Sequence, residues 1–380
     1  MEDEHSARFE DIRADLLDEY CQPHGKPWII GYSGGKDSTL VAHLVFEMLL
    51  ALPPSRRVRP VHVLANDTLV ESPLVVQHLA SSLEEIKGAA SAFGLPVITQ
   101  MTRPELAQSF WVNLIGRGYP PPNRSFRWCT DRMKIRPTID YIKSRIDEAG
   151  QAILLTGVRR SESAARAATA KRYDNGERLN RHNDLPQCMV YKPIIDLDID
   201  DVWEFLASNK PPWGGSHRHM IQLYRDADGG DCPVVTSKDD APSCGTTSAR
   251  FGCWTCTVVK KDKSLEGFVE SGFKEFIPLL EFRDWLLSIR DDPHRRQARR
   301  RDGRVRFTDG GTLIPGPFTM PARIEILDKL RQLEAKTGYT IISPKENDMI
   351  HELWSKDIAV QPNTRLMDTQ VIMKGKANAA

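Results

Sequence analysis

The sequence lacks the features of secreted, membrane-bound and strongly charged proteins. Its first residues, Met1-Glu-Asp-Glu, are acidic and precede no apolar stretch, so we expect no secretory signal peptide. The most apolar stretch, residues 44–52, is too short to span a bilayer and contains Glu47. Lysine and arginine number 52 against 51 acidic residues, so the net charge of +1 indicates no partner by itself. We therefore expect a cytoplasmic protein that does not associate with membranes.

Cysteine is scarce, and its number is odd. Seven cysteines without an export signal are typical of a reducing compartment, where cysteines serve as ligands or free thiols rather than as disulfides. The remaining composition, 40% hydrophobic and 27% charged, is that of an ordinary globular chain. A chain of 380 residues has room for about two domains, or for one domain with insertions.

Five short apolar runs predict the strands of an α/β protein. They span residues 28–32, 61–65, 96–99, 153–158 and 189–191. A helical pattern follows the first run, and Pro73 and Gly94 bound a second helix after the next run. Because strands alternate with helices, the pattern predicts an open, mostly parallel five-stranded sheet with helices on both faces.

The composition changes after residue 210. We predict an α/β nucleotide-binding domain over residues 1–210, with a helical lead-in of about twenty residues. Residues 211–263 hold four of the seven cysteines and show weak periodicity. This indicates a loop-rich segment that needs a cross-link to stabilise it. Residues 264–380 form a predicted helical and basic C-terminal region, with helices over 264–290 and 321–337.

A glycine-rich loop, Gly31-Tyr-Ser-Gly-Gly-Lys-Asp-Ser-Thr, follows the first strand. Open α/β sheets bind ligands at this end of a strand, and the N–H groups that begin the next helix attract phosphate. The loop has neither the Walker spacing nor the G-x-G-x-x-G pattern. We expect Asp37 to cap the helix or to help to hold Mg²⁺. The predicted nucleotide-binding residues are Ser33, Gly34, Gly35, Lys36, Asp37 and Ser38.

Two further segments carry arginines near strand ends. The first runs from Asn123 to Pro137, and the second is Thr156-Gly-Val-Arg-Arg-Ser-Glu-Ser. Each arginine alone is more typical of a solvated surface, but together they favour a phosphate site. We expect Arg127 and Arg132 to lower the pKa of Cys129, which is either a reactive thiol or a packing residue. The further candidates for contacts to phosphate, metal or ribose are Asp67, Arg127, Lys134, Arg136, Gly157, Arg159, Arg160 and Glu162, of which Arg127, Lys134 and Arg159 join Lys36 and Asp37 as catalytic candidates.

Four cysteines predict a metal centre. Cys232, Cys244, Cys253 and Cys256 have the spacing C-x(11)-C-x(8)-C-x(2)-C. Four thiolates suit a [4Fe–4S] cluster or structural zinc, and the unequal spacing favours iron–sulfur. A redox dithiol or buried small residues are the alternatives. His217 and His219, separated by one residue, are interpreted as solvated rather than as ligands.

A run of seven arginines over residues 294–306 concentrates positive charge. Such a patch is typical of a nucleic-acid site, although acidic residues within the protein are alternative partners for it.

The motif from Ser33 to Ser38 matches the PP-loop of the ATP pyrophosphatases, and the Arg-x-Cys-x(4)-Lys segment at Arg127 is similar to one in the PAPS reductase branch. With Asn66-Asp-Thr-Leu-Val-Glu-Ser-Pro and Phe251-Gly-Cys-Trp-Thr-Cys, the chain resembles the DndC/SspD family of DNA phosphorothioation proteins. The resemblance implies ATP cleavage to pyrophosphate, a four-cysteine iron–sulfur cluster, and replacement of a DNA phosphate oxygen by sulfur. It also implies DNA, a cysteine desulfurase and other proteins of the phosphorothioation system as partners.

Three alternatives to DNA phosphorothioation remain at this point. One is a PAPS or APS reductase, although no cysteine follows Cys256 where such enzymes carry a terminal catalytic thiol. The second is a PP-loop enzyme of tRNA thiolation, which is chemically close. The third is a non-catalytic DNA-binding module that senses nucleotide or redox state.

Overall fold

The computed structural model describes residues 2–162, 176–227 and 251–360. The chain divides into two compact units that interleave along the sequence. The first unit comprises Met1–Asp67, Ser72–Thr102 and Arg136–Phe251, and the second comprises Thr68–Glu71, Arg103–Ile135 and Gly252–Ala380. Residues 103–135 therefore belong with the C-terminal part of the chain, whereas the composition alone grouped them with residues 1–210.

The first unit is built on one mixed sheet with the strand order β3-β2-β1-β4-β6-β5. Its strands are β1 (Trp28–Gly31), β2 (Val61–Asn66), β3 (Val97–Thr102), β4 (Ala152–Leu155), β5 (Leu179–Arg181) and β6 (Cys188–Tyr191). All neighbouring strands are parallel except β5 and β6. The five predicted strands are confirmed, but among the described residues the sheet has six strands rather than five. The sequence prediction missed β5 because this three-residue antiparallel edge strand contains no apolar run.

Helices cover both faces of this sheet, as predicted. They are α1 (Glu2–Tyr20), α2 (Lys36–Ala51), α3 (Pro73–Ala92), α4 (Arg136–Ala149), α5 (Ile199–Ser208) and α6 (Arg218–Ala227). Successive strand residues point to opposite faces. Ile30 accordingly belongs to the cluster that contains Leu44 of α2, whereas Ile29 packs in the cluster that contains Ile142 of α4. Residues 32–35 connect the carboxyl end of β1 to the start of α2.

The second unit is mostly helical. Its elements are α7 (Lys263–Glu270), α8 (Ile277–Ile289), a hairpin of β7 (Arg306–Phe307) and β8 (Leu313–Ile314), α9 (Met320–Thr337) and α10 (Pro344–Val360). The prediction of a helix over residues 321–337 is confirmed. The single helix predicted over residues 264–290 is two helices, because Gly272, with φ of 111°, lies in a left-handed region that no α-helix continues through.

Two buried arginines join segments of the second unit. Arg283 of α8 is fully buried and donates hydrogen bonds to the carbonyl oxygens of Cys256 (3.0 Å), Lys260 (2.8 Å) and Val259. Arg323 of α9 likewise donates to Phe318 O and Gly116 O, and forms an ion pair with Asp357. Because a buried guanidinium has five donors to satisfy, each arginine fixes several backbone carbonyls at once.

In the part of the chain that the structure describes, no helix has both the length and the apolar surface needed to cross a bilayer.

Candidate functional site

The glycine-rich loop of the first unit connects β1 to α2 and is shaped by two serines. The Ser33 N–H donates to Ser38 Oγ at 3.2 Å, and the Ser38 hydroxyl donates to Gly35 O at 3.0 Å. Gly35 is the N-cap residue of α2 and has no side chain, so it offers the first-turn N–H groups none of the side-chain acceptors of an ordinary cap. Ser33, Gly35 and Ser38 therefore form a turn around a helix N-terminus that is suited to an anion.

Asp37 lies between two cations rather than capping the helix, which corrects one of its two expected roles. Arg159 donates from Nε to Asp37 Oδ1 at 2.7 Å, and Lys36 Nζ lies 3.1 Å from Asp37 Oδ2. Both cations are largely buried, and Lys36 Nζ also lies 5.3 Å from the centre of the Tyr224 ring. One carboxylate shared by two cations leaves net positive charge at the loop, as binding of a polyphosphate requires.

Gly157 is a glycine because it touches the start of α2. A Cβ atom at this position would lie 2.7 Å from the carbonyl carbon of Asp37 and 2.9 Å from the Ser38 nitrogen, both of them backbone atoms. Such distances are well inside van der Waals contact. The segment after β4 therefore packs directly against the nucleotide loop, and this packing brings Arg159 to Asp37.

The other predicted residues of the first unit are placed as follows. Asp67 is buried at the end of β2, where its N–H donates to Thr102 O at 2.9 Å. Arg160 is exposed and forms an ion pair with Asp196. Arg136 is exposed at the first residue of α4. The side chain of Glu162 lies outside the described residues. The nucleotide roles of these four residues remain predictions.

Thiols and charged groups meet in the second unit. Cys253 and Cys256 share a turn closed by the Cys256 N–H, which donates to Cys253 O at 3.0 Å. The backbone of Cys253 pairs with that of Glu71, and the Cys253 thiol lies 3.8 Å from Glu71 Oε1. Lys134 Nζ lies 3.2 Å from the same carboxylate oxygen. The other two predicted ligands, Cys232 and Cys244, lie outside the described residues, and the described residues alone contain no group of three side chains placed to hold a metal ion.

Cys129 belongs to this group of thiols. Burial, followed by the neighbouring Cys256, raises the pKa of the Cys129 thiol. The expectation that Arg127 and Arg132 lower this pKa is therefore wrong: Arg132 donates to Gln108, and Arg127 is exposed. Burial lowers the pKa of the Lys134 ammonium, but the nearby Cys253 and Glu71 outweigh it and raise that pKa above its ordinary value. Lys134 is thus a fixed positive charge beside the thiols.

The arginine run is largely engaged within the protein. Arg295 forms ion pairs with Asp292 and Glu325, and Arg301 pairs with Asp357. Arg296 donates to the carbonyl oxygens of Gly316 (2.7 Å) and Arg290 (2.7 Å). These contacts agree with the alternative interpretation, in which acidic and carbonyl groups of the chain itself are the partners of the run.

Residues 27–259 match the phosphoadenosine phosphosulfate reductase domain, a domain of the PP-loop ATP pyrophosphatase superfamily. The match spans more than half of the chain, and the chain belongs to this family. The glycine-rich loop before α2 lies within the matched residues, and we call it the PP-loop after the motif that its sequence matches.

Individual relatives are distant. The chain is 23% identical over 188 residues to the uncharacterized protein MJ0066 of Methanocaldococcus jannaschii, and the aligned part covers 50% of this chain and 33% of that protein. Phosphoadenylyl-sulfate reductase from Candida auris in its phosphate complex is 13% identical, with a TM-score of 0.32, 52% of this chain and 79% of the other covered. The U34-tRNA thiolase NcsA from Methanococcus maripaludis with its [4Fe-4S] cluster is 14% identical, with a TM-score of 0.33 and coverages of 53% and 62%.

Sequence reasoning missed several residues of these sites. Glu71 lies in the segment 66–73, which indicates only the family resemblance. Its proximity to Cys253 depends on backbone pairing between residues 182 positions apart. The ring of Tyr224, in α6, lies against the Lys36 ammonium, and His78 of α3 donates a hydrogen bond to Gly34 O. No local pattern marks such residues, because their role is set by packing between distant segments.

Proposed function

We propose that this protein is an ATP pyrophosphatase that adenylates a backbone phosphate of DNA and supports the replacement of one phosphate oxygen by sulfur. The observation that carries the ATP part is the PP-loop geometry, in which Lys36 and Arg159 flank Asp37 at an uncapped helix N-terminus. The DNA and sulfur parts rest on the resemblance of the sequence motifs and on the thiols of the second unit.

The first step is displacement at the α-phosphorus of ATP. A non-bridging oxygen of a DNA phosphate attacks this phosphorus, the bond between the α-phosphorus and the bridging oxygen breaks, and pyrophosphate leaves. The N–H groups of the loop and the cations Lys36 and Arg159 stabilise the charge that builds up on the departing pyrophosphate. Mg²⁺, when bound with ATP, supplies further charge neutralisation, and Asp67 and Glu162 are the proposed residues for metal or ribose contacts.

The second step is displacement at the DNA phosphorus. Adenylation turns a phosphate oxygen into part of a good leaving group, AMP. A sulfur nucleophile at the oxidation level of hydrosulfide attacks, a phosphorus–sulfur bond forms, and AMP leaves. We propose a cysteine desulfurase with a thiol reductant as the source of this sulfur, and other proteins of the phosphorothioation system as further partners.

The thiols of the second unit are proposed to serve the sulfur step. The turn at Cys253 and Cys256 fits two ligands of a four-thiolate centre, and Cys232 and Cys244 are the proposed remaining ligands of a [4Fe–4S] cluster, with zinc as the alternative metal. Such a cluster, when bound, supplies a site for sulfur or electrons. Lys134 and Glu71 form an ion pair beside Cys253, so this proposed ligand lies next to one positive and one negative charge.

The acceptor is tested by giving the protein ATP, a cysteine desulfurase, cysteine and dithiothreitol with either duplex DNA or tRNA. We expect phosphorothioate linkages, detected by mass spectrometry after nuclease digestion, in DNA alone. Lys36→Ala should abolish them, whereas Lys87→Ala, which removes an exposed lysine of α3, should not. Sulfur in tRNA bases instead would support a thiolation enzyme, and release of sulfite from an added sulfonucleotide would support a reductase.

A further inference from the structure

His217 and His219, which are interpreted from sequence as solvated, take part in two hydrogen-bonded chains in the first unit, although the His219 side chain is exposed as expected. His217 is buried, and its Nε2 lies 3.1 Å from His43 Nδ1. His219, at the start of α6, has its Nδ1 3.3 Å from Nδ1 of His78. His78 in turn has its Nε2 2.9 Å from the carbonyl oxygen of Gly34 in the PP-loop. The second chain thus ends on the nucleotide loop.

The acceptor at the end of this chain fixes the protons along it. A carbonyl oxygen only accepts, so His78 Nε2 carries a hydrogen and donates it to Gly34 O. In a neutral imidazole the other nitrogen is then an acceptor, and His219 must donate from Nδ1 to His78 Nδ1. Burial lowers the pKa of His78 below its ordinary value; the contact with Gly34 O opposes this change, and the nearby His219 adds to it.

Anchoring the Gly34 carbonyl also orients the next N–H group. In a planar trans peptide the C=O and the N–H point in opposite directions, so holding Gly34 O toward α3 turns the Gly35 N–H away from α3. That N–H has only a long contact, 3.4 Å, to Ser33 Oγ, and the Lys36 N–H has a similar 3.4 Å contact to the Tyr224 hydroxyl. Phosphate oxygens are stronger acceptors than these hydroxyls and would replace them.

The packing at Gly34 makes the contact with His78 specific. Gly34 has φ of 72°, and a Cβ atom there would lie 3.3 Å from both His78 Cδ2 and Leu79 Cδ1. Glycine therefore allows both the left-handed turn and the close approach of α3. The imidazole lies against the loop backbone, where a small change in its position changes the direction of the peptide.

We propose that His78 is a positioning residue for the nucleotide: it holds the Gly34–Gly35 peptide so that the Gly35 N–H faces the bound phosphates, and His219 sets the tautomer of His78. The inference rests on the proposed ATP-binding function. It assigns to α3 and α6 a part in forming the phosphate site that the PP-loop motif itself does not contain.

The test compares His78→Leu, His78→Gln and His219→Leu in steady-state pyrophosphate release and in binding of α,β-methylene-ATP. Loss of one hydrogen bond that acts on bound nucleotide should raise KM and Kd roughly tenfold in His78→Leu, with kcat changed by less than about twofold. Glutamine retains a donor at a similar reach, so His78→Gln should stay within about threefold of the unmodified protein. His219→Leu should raise KM about threefold.

The matched control is His62→Leu, which removes a buried histidine of β2 that is hydrogen-bonded to Tyr141 of α4. It should lower the melting temperature without changing the KM for ATP. Unchanged KM in His78→Leu, or equal losses in the leucine and glutamine variants, would overturn the proposal. If His78→Leu does not fold, His78→Phe, which keeps a ring but has no donor, takes its place with the same expected rise in KM, and an unchanged KM in that variant would overturn the proposal. An unchanged KM in His219→Leu would contradict the role of His219. An unmodified protein that neither binds nor cleaves ATP would refute the proposed function itself.

Discussion

At the residue scale, the PP-loop depends on the absence of a side chain at Gly157 as well as on its own side chains. Gly157 has no side chain, and the space where a Cβ would lie is filled by the backbone of Asp37 and Ser38. We expect Gly157→Ala to push the segment after β4 away from the start of α2. This substitution should lower the free energy of unfolding by about 1–3 kcal/mol and raise the KM for ATP about tenfold. Urea unfolding and pyrophosphate-release kinetics measure the two effects.

The control for this substitution is Gly88→Ala in α3. No atom lies within 4 Å of a Cβ at Gly88, which is an exposed helical position. Alanine there should raise the free energy of unfolding by roughly 0.5–1 kcal/mol and leave the KM unchanged. A Gly157→Ala protein with unaltered stability and KM would show that the close approach of the two segments does not exist in solution.

Much of the nucleotide loop could be predicted from sequence, because its residues are contiguous and follow a strand. Lys36, Asp37 and Arg159 were singled out, but the ion pairs that join them could not be predicted, since Arg159 is 122 positions from Asp37. The same limit applies to His78, which acts on a loop 44 positions earlier. The role expected for Asp37 as a helix cap failed because its carboxylate meets two cations instead.

At the scale of helices and strands, periodicity predicted the elements that bury a full face. The strands β1 to β4 and β6 are apolar runs, and α2 and α3 carry regular apolar stripes. The short polar strand β5 and the break at Gly272 carry no such signal, because one pairs at an edge and the other depends on a single backbone angle.

The contact between α9 and α10 should depend on acid pH. Asp357 is partly buried, which by itself raises the pKa of its carboxyl, but hydrogen bonds from Arg323 and Arg301 outweigh burial and hold that pKa below its ordinary value. A carboxyl whose pKa is lower in the folded state stabilises the fold above its unfolded pKa of about 3.9, and this stability is lost as the pH falls through the folded value. The unmodified protein should therefore lose stability below about pH 4.

Asp357→Asn tests this contact. It should lower the free energy of unfolding at pH 7 by about 1–2 kcal/mol, a figure that allows for solvent screening. Between pH 4 and pH 2.5 the variant should lose less stability than the unmodified protein, by roughly the same 1–2 kcal/mol. Glu352→Gln, which removes an exposed partner of Lys356 on the same helix, should change the stability at pH 7 little. Equal pH profiles for the Asp357→Asn variant and the unmodified protein would show that the ion pair does not form.

At the scale of the whole molecule, the chain is a member of the phosphoadenosine phosphosulfate reductase domain family, and thiols lie together in its second unit. The even overall charge gave no guide to a partner, and Arg295, Arg296 and Arg301 of the arginine run contact acidic groups and carbonyls of the chain itself. Composition therefore gives no guide to the acceptor of the proposed adenylation, and only the motif resemblance favours DNA.

Metal content tests the second unit. In protein purified without oxygen, we expect iron and acid-labile sulfide with broad visible absorption, lost in Cys253→Ser and Cys256→Ser because two thiolates of the centre share their turn. Cys21→Ser, which changes a thiol at the end of α1, should keep full iron content. Cys129→Ser distinguishes two roles of Cys129, because the substitution should lower the iron content if Cys129 is a ligand and leave it unchanged if Cys129 is a sulfur carrier. Unmodified protein that contains neither iron nor zinc would contradict the proposed centre.

The position at which ATP is cleaved tests the central claim most directly. ATP labelled at the α-phosphorus and ATP labelled at the γ-phosphorus are incubated separately with the protein, Mg²⁺, duplex DNA and a sulfur source, and the products are separated by chromatography. The account predicts that the γ-label appears in pyrophosphate and the α-label in AMP, with a transient fraction attached to DNA when the sulfur source is withheld. Appearance of the γ-label in orthophosphate and of the α-label in ADP would contradict it.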